Sequence, residues 1–375
     1  MGKIQPLVSD ARAAAVELSA AEKRRTARQM VLDGFGDMAQ KRLAAARVLV
    51  VGAGGLGSPC VMSLAAAGLG HVTIAEDDTV DYSNLQRQIL YGVDDVGKNK
   101  ADTARARLLA MASDMTVATP GRMTAARAAE MIAGHDLVID GCDNFATRYL
   151  CADAAEIARV PVVWGAVLRY SGQLAVFGVD GFPVLRDIYP SPPPPDKRPS
   201  CAAAGVLGAT TAVMGSLMAT EAIKLITGIG EPLVGAMLVY DALSARTRIF
   251  RVGCDPSRTP VSAPGTGPVV HLGAADFRRF VSAPGHVVID VRDAAEITPA
   301  TTVDAAGGRR VQPVADLVAG GLASLDPPLP ETTEAICFCC ASGVRSAAAA
   351  EAVAEEAAGK GIRVFSLDGG ITPRP

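Results

Sequence analysis

Apolar positions recur along this chain with two periods, and the switches between them mark its elements. Ser19-Ala-Ala-Glu22 has the form of a capping box and predicts a helix carrying Arg25, Arg28 and Gln29. The first clear strand is Arg47–Val51, an apolar run that ends in Gly52-Ala-Gly54-Gly55-Leu-Gly57. A small-residue helix to about Gly68 and a second strand at His71–Glu76 complete a βαβ unit. The pattern then predicts a helix from about Lys98 to Met111, a strand at Asp136–Asp140 and a helix from Asn144 to Arg159. Val162–Leu168 and Gln173–Val179 read as strands of a sheet extension, with two more near Met237–Tyr240 and Thr247–Val252.

Proline and glycine divide the rest. Tyr189–Ser200 holds too many prolines for a helix or a central strand and reads as a loop leading to Cys201. The apolar stretch Gly205–Thr227 contains Glu221 and Lys224 and is rich in Gly, Ala and Thr, so a buried helix is expected there, not a membrane span. Cys254–Gly267 is a Pro/Gly/Ser-rich linker, which separates a domain of residues 1–253 from one of residues 268–375. In the second, Val287–Val291, Ala335–Phe338 and Arg363–Leu367 read as strands and Val344–Glu356 as a helix. The fold class is therefore α/β: a doubly wound, Rossmann-like domain with a sheet extension, followed by a smaller α/β domain.

Bulk properties narrow the partners. A chain of 375 residues exceeds what one core usually covers. The net charge of −3 argues against nucleic acid or an anionic membrane as partner. The N-terminal stretch lacks the charged, apolar, then small-residue order of a secretory signal, so a cytoplasmic location is expected. The eight cysteines then read as free thiols. His71, His135, His271 and His286 show no ligand or triad spacing.

The glycine motif follows a strand and opens a helix, whose N-terminus offers unpaired N–H groups to phosphate. Glu76, with Asp78 nearby, ends the next strand, where a carboxylate meets ribose hydroxyls. This much fits a nicotinamide or flavin enzyme as well as an ATP enzyme. Ser83-Asn84-Leu-Gln-Arg87-Gln88 and Val96-Gly-Lys-Asn-Lys100 add amides and cations that a hydride-transfer site does not need and a triphosphate does. Asp140-Gly-Cys-Asp143-Asn144 ends a strand where ligands of open α/β sheets bind, and a carboxylate there, Asp140 or Asp143, suits Mg²⁺ against the phosphates.

From Arg25 to about Arg251 the chain resembles the MoeB/ThiF family, bacterial relatives of ubiquitin-activating enzymes. Arg28-Gln29, RVLVVGAGGLGSP, SNLQRQ, VGKNKA, DLVIDGCDNFATRY, RYSGQLAVF and CAAAGVLG carry the resemblance in order, as does the segment from Gly215 to Leu243. It implies a homodimer that binds ATP and Mg²⁺ and adenylates the terminal carboxylate of a small ubiquitin-like sulfur carrier ending in Gly-Gly. By motif, Asn84, Arg87 and Lys100 would contact phosphates and Asp143 the Mg²⁺. Gly52, Gly54, Gly57 and Glu76 would hold adenosine, with Gly55, Asp78 and Gln88 beside them. Arg28 would act across the dimer. Two departures stand out. Glu76 replaces the usual Asp. Where relatives carry two Cys-x-x-Cys pairs for structural zinc, this chain reads Val184-Leu-Arg-Asp187 and Cys254-Asp-Pro-Ser257, so no structural zinc is expected.

The tail resembles a rhodanese-like sulfurtransferase domain. Val287-Val-Ile-Asp-Val-Arg292-Asp matches its early strand, Cys340-Ala-Ser-Gly-Val-Arg345-Ser its active loop and Leu367-Asp-Gly-Gly-Ile371 its closing turn. The resemblance implies a persulfide on Cys340, supported by backbone N–H groups and Arg345 and loaded by a donor of the cysteine desulfurase type. Asp304–Arg310 stands where the usual His-Ile-x-Gly-Ala segment belongs, so lost sulfurtransferase activity stays open. Cys201 is the candidate for thioester or persulfide transfer, while Cys337 and Cys339 read as core thiols. Two further readings stay open: an NAD or FAD oxidoreductase, and a non-catalytic scaffold for a ubiquitin-like protein.

Overall fold

A computed structural model describes residues 4–192, 205–261 and 269–371, apart from 273, 299–301, 304, 305, 342, 368 and 369. The chain divides into two compact units, one of residues 1–192 with 199–264 and one running from residue 265 to the end. In the first, Asp10–Ala14 (α1), Ala20–Met30 (α2) and Gly36–Ala45 (α3) precede the sheet. Then come Arg47–Val51 (β1), Gly57–Ala67 (α4), His71–Ala75 (β2), Lys100–Met111 (α5), Thr116–Ala118 (β3) and Ala128–Ile132 (α6). Leu137–Asp140 (β4), Phe145–Ala158 (α7), Val162–Leu168 (β5) and Ser171–Phe177 (β6) follow. Leu185–Ile188 (α8), Gly208–Thr227 (α9), Ala236–Asp241 (β7) and Arg246–Arg251 (β8) complete it.

The eight strands lie in the order β3-β2-β1-β4-β5-β6-β7-β8. Strands β3 to β5 pair parallel, and β5 to β8 pair antiparallel. The order reverses direction between β1 and β4, and ligands of open α/β sheets bind at the carboxyl ends beside such a reversal. Strand β1 is apolar because helices cover both faces of a central parallel strand: four of its five residues are buried. Two apolar clusters fill the two faces, one around Val48, Val50 and Leu64, the other around Leu49, Val51 and Trp164.

Ser19 caps α2 as its capping-box pattern predicts, accepting from the Glu22 N–H at 3.0 Å. Asn99 and Asn144 cap α5 and α7 in the same way. The apolar stretch after residue 205 forms α9, which packs on β5, β6 and α4 with Met214, Met218 and Ala222 fully enclosed. Among the described residues no helix is long and apolar enough to cross a membrane.

The second unit is a separate five-stranded sheet, all parallel, in the order β11-β10-β12-β13-β9. Its elements are Val269–Leu272 (β9), Ala274–Val281 (α10), His286–Asp290 (β10) and Arg309–Val311 (β11). Val314–Gly320 (α11), Ala335–Cys339 (β12), Val344–Gly359 (α12) and Arg363–Leu367 (β13) follow. Cys337 and Cys339 are enclosed in its core, as their alternation with Phe338 predicts.

Candidate active site

The glycine turn between β1 and α4 is held from several sides. Gly52 has φ +85°, and a Cβ there would press on the carbonyl of Gly141, so only glycine lets the two strand-end loops touch. A Cβ on Gly57 would fall 1.9 Å from the Gly52 carbonyl oxygen. Between them Ala53 is fixed by three side chains: its carbonyl accepts from Ser58 Oγ at 2.8 Å and Tyr91 Oη at 3.0 Å, and its N–H donates to Glu76 Oε2 at 3.1 Å. At the start of α4 the Ser58 N–H donates to the Gly54 carbonyl at 2.9 Å and Pro59 carries no N–H, so the donors that could face an anion are those of the glycine turn ahead of the helix.

The cationic segments converge on this turn. Gln88 is buried, its amide nitrogen 3.6 Å from where a Gly54 Cβ would lie, and its Oε1 has no partner. Arg87 Cγ lies 3.5 Å from the corresponding Gly55 position. Asn84 closes a short turn by accepting from the Asp81 N–H. Backbone pairing of Val80 with Lys98, and of Asp78 with Lys100, folds the start of α5 against the end of β2. The Lys100 ammonium is thereby enclosed, 3.6 Å from Asp78. Glu76, Asp77 and Asp78 gather their carboxylates within 4.8 Å of one another, balanced by Arg122, which bonds Asp77 at 3.0 Å. The Glu76 carboxylate also accepts from the N–H groups of Asp77 and Asp78, so the residue replacing the usual Asp ties the glycine turn to the end of β2.

At the end of β4, Asp140 is fully enclosed. Its oxygens accept from Cys142 Sγ at 2.6 Å and from Arg148 Nε at 3.3 Å, and burial raises its carboxyl above the usual range despite the guanidinium. Arg148 also donates to the carbonyls of Cys142 and Gly165 and lies over the Trp164 ring. This buried hub shapes the turn that leaves Asp143 exposed, with no ion pair or hydrogen bond to its side chain among the described residues.

Arg28 is not brought to this site. Helix α2 bonds to the far end of α4, through Arg25 on the Ala66 carbonyl and Gln29 on that of Ala67. The glycine turn sits at the opposite end of α4, about 16 Å away at 1.5 Å per residue. Arg28 is exposed and unpaired among the described residues. Cys201 lies outside the described residues.

In the second unit Cys340 follows β12 and is fully enclosed. Its Sγ accepts from the N–H groups of Gly343 at 3.1 Å and Ser346 at 3.4 Å, donors that stabilise negative charge on sulfur. The returning chain bonds the same residue, Ile371 N–H to the Cys340 carbonyl. Arg345 gives both terminal nitrogens to Glu296 at 2.6 Å, and this pairing holds the Glu296 carboxyl down at about 2. The guanidinium expected to support the thiol is thus paired with Glu296, a carboxylate that the loop motif does not mark.

Comparison with known proteins settles the relationship. The family model described as "ThiF family" matches residues 26–260. The chain belongs to the ThiF family. It is 41% identical over 395 residues to the probable adenylyltransferase/sulfurtransferase MoeZ of Mycobacterium tuberculosis, covering 98% of this chain and 95% of that one. The sulfur carrier protein adenylyltransferase of Thermus thermophilus is 49% identical over 241 residues, 62% of this chain and 88% of its own. Among solved structures, PaaA aligns with TM-score 0.55 at 25% identity over 63% of this chain and 75% of that chain. MccB of E. coli with ATP aligns with TM-score 0.54 at 19% identity, over 60% and 70%, and shares the fold. This ThiF-family chain is an adenylyltransferase and sulfurtransferase by near full-length similarity, which overturns the oxidoreductase and scaffold readings.

Tyr91, Ser58, Arg122 and the Arg148–Asp140 hub were not singled out from sequence. Tyr91 and Arg122 act on residues 38 and 45 positions away, while Ser58 and the hub act within five and eight positions through side-chain bonds that apolar periodicity does not mark; only the unbroken DGCDNFATRY run marked the hub's vicinity.

Proposed function

We propose that the first unit uses ATP to adenylate the C-terminal glycine of a small sulfur-carrier protein, and that Cys340 then delivers sulfur to the activated carboxyl. The observation that carries this reading is the packing of Arg87 and Gln88 on the glycine turn, with Lys100 against Asp78 at the end of β2 that Glu76 ties to the turn, and Asp143 exposed one residue beyond Cys142, which borders Gly52. The carrier carboxylate is ionised at neutral pH and needs no base. Its oxygen bonds to the α-phosphorus as the bond to the bridging oxygen breaks and pyrophosphate leaves. Arg87 and Lys100 neutralise the charge that builds on the phosphate oxygens, and α4 orients them. Asp143, exposed and free, suits Mg²⁺, which when bound would offset charge on the phosphates.

In the second step a Cys340 persulfide attacks the carbonyl carbon of the acyl-adenylate and AMP departs. The resulting acyl disulfide is cleaved by a second thiol, for which Cys201 is the candidate: the carrier leaves as a thiocarboxylate and the two cysteines become a disulfide. Arg28, placed away from its own glycine turn, fits a role at the site of a partner in a homodimer. A persulfide donor of the cysteine desulfurase type would supply sulfur. A cytoplasmic setting, in which thiols stay reduced, suits this chemistry.

The test follows the carrier by intact mass in the presence of ATP and a persulfide donor. Wild-type protein should exchange one carrier oxygen for sulfur, and Cys340→Ala should stop at the adenylate. Thiocarboxylate formed at the wild-type rate by Cys340→Ala would contradict the sulfur step.

A further inference from the structure

Two turns lie together in the first unit: residues 184–188, which contain α8, and residues 254–258, which follow β8. The resemblance implies a four-thiolate zinc site here, and the residues present do not fit one. Val184 offers no ligand atom. Asp187 is already satisfied: Oδ2 accepts from the Val184 N–H at 2.8 Å, and Oδ1 from the Asp255 N–H at 3.1 Å and Arg258 Nε at 2.8 Å. Cys254 is exposed, with Sγ 4.0 Å from the Gly181 carbonyl.

What joins the turns is a guanidinium. Arg258 reaches Asp187 through Nε and Glu156 through both terminal nitrogens, at 2.9 and 3.2 Å. Glu156 belongs to α7, so one side chain fastens three segments remote in sequence. The side chains are well enclosed, 18% exposed for Arg258, 12% for Glu156 and 4% for Asp187, so water screens the pairing weakly. Beside it Arg186 forms a second two-pronged pair with Asp153 of α7 at 2.6 and 2.9 Å. Arg186 fixes α8 to α7, and Arg258 joins the 254–258 turn to both, with the Asp255 N–H adding a second bond to Asp187.

We propose that Arg258, with Asp187 and Glu156, is a metal-free clasp that does the cross-linking its relatives assign to zinc. A rigid fork with five donors can satisfy two carboxylates at once, which a lysine ammonium cannot do with the same geometry. Removing it leaves two enclosed carboxylates facing each other without a cation, whereas removing a metal from a thiolate site leaves thiols that can take up protons.

Three measurements test the clasp, all on the full chain. Thermal unfolding of the wild type should be unchanged by a strong chelator. Arg258→Ala should lower the Tm of the first transition by roughly 6–20 °C, and Arg258→Lys by less. In the Arg258→Ala background, Val184→Cys, Asp187→Cys and Ser257→Cys together complete a thiolate set with Cys254; zinc should restore Tm and a chelator should reverse the gain. A chelator-sensitive wild type, an Arg258→Ala protein of unchanged Tm, or a four-cysteine variant that zinc does not stabilise would each overturn the proposal. These readouts are independent of adenylation, so failure of the clasp and failure of the proposed activity are separable.

Discussion

Ala53 shows how a residue with no chemistry of its own can be central to a site. Its peptide is held by Ser58, Tyr91 and Glu76, and Tyr91 comes from the segment that also supplies Arg87 and Gln88. The Tyr91 hydroxyl thus ties the cationic segment to the glycine turn from inside the core. Tyr91→Phe removes one hydrogen bond and leaves Ser58 in place, a loss of about 0.5–1.5 kcal/mol. Steady-state kinetics should show the KM for ATP rising about 2- to 10-fold with kcat little changed. An unchanged KM with a lowered Tm would make Tyr91 a core residue only.

At the scale of elements, the β1–α4 turn and the caps of α2, α5 and α7 were legible because each is a local pattern: a glycine spacing, or Ser or Asn ahead of a helical run. Strands β3, β9 and β11 were not, because runs of three or four residues do not establish a period of two. They are sheet edges whose pairing partners, β2, β13 and β10, lie far along the chain or behind a helix. Contacts between elements were equally hidden. The start of α9 rests on the phosphate segment so closely that a Cβ on Gly208 would fall 2.0 Å from the Gln86 carbonyl oxygen. Gly208→Ala must push that segment away and should destabilise the unit by about 1–3 kcal/mol in urea unfolding, with weaker ATP binding. Wild-type affinity and stability would show that α9 does not set the position of Arg87 and Gln88.

For the whole molecule, the sequence motifs located both reactive loops but could not say which residues share a site. Folding separates Arg28 from its own glycine turn by the length of α4, so a role in adenylation would have to be exercised at a partner's site, as proposed. If Arg28 completes a partner's site, Arg28→Ala and Asp143→Ala proteins should each be inactive. After subunit exchange in equal amounts, about a quarter of wild-type activity should return, one intact site in each mixed dimer. No recovery, with subunit exchange verified, would mean that Arg28 does not complete a partner's site. Adenylation at the glycine turn can be read from carrier-dependent exchange of labelled pyrophosphate into ATP. Exchange should require a Gly-Gly-ending carrier, be lost in Asp143→Ala and persist in Cys340→Ala. Measurable ATP binding without exchange for any such carrier would contradict adenylation there.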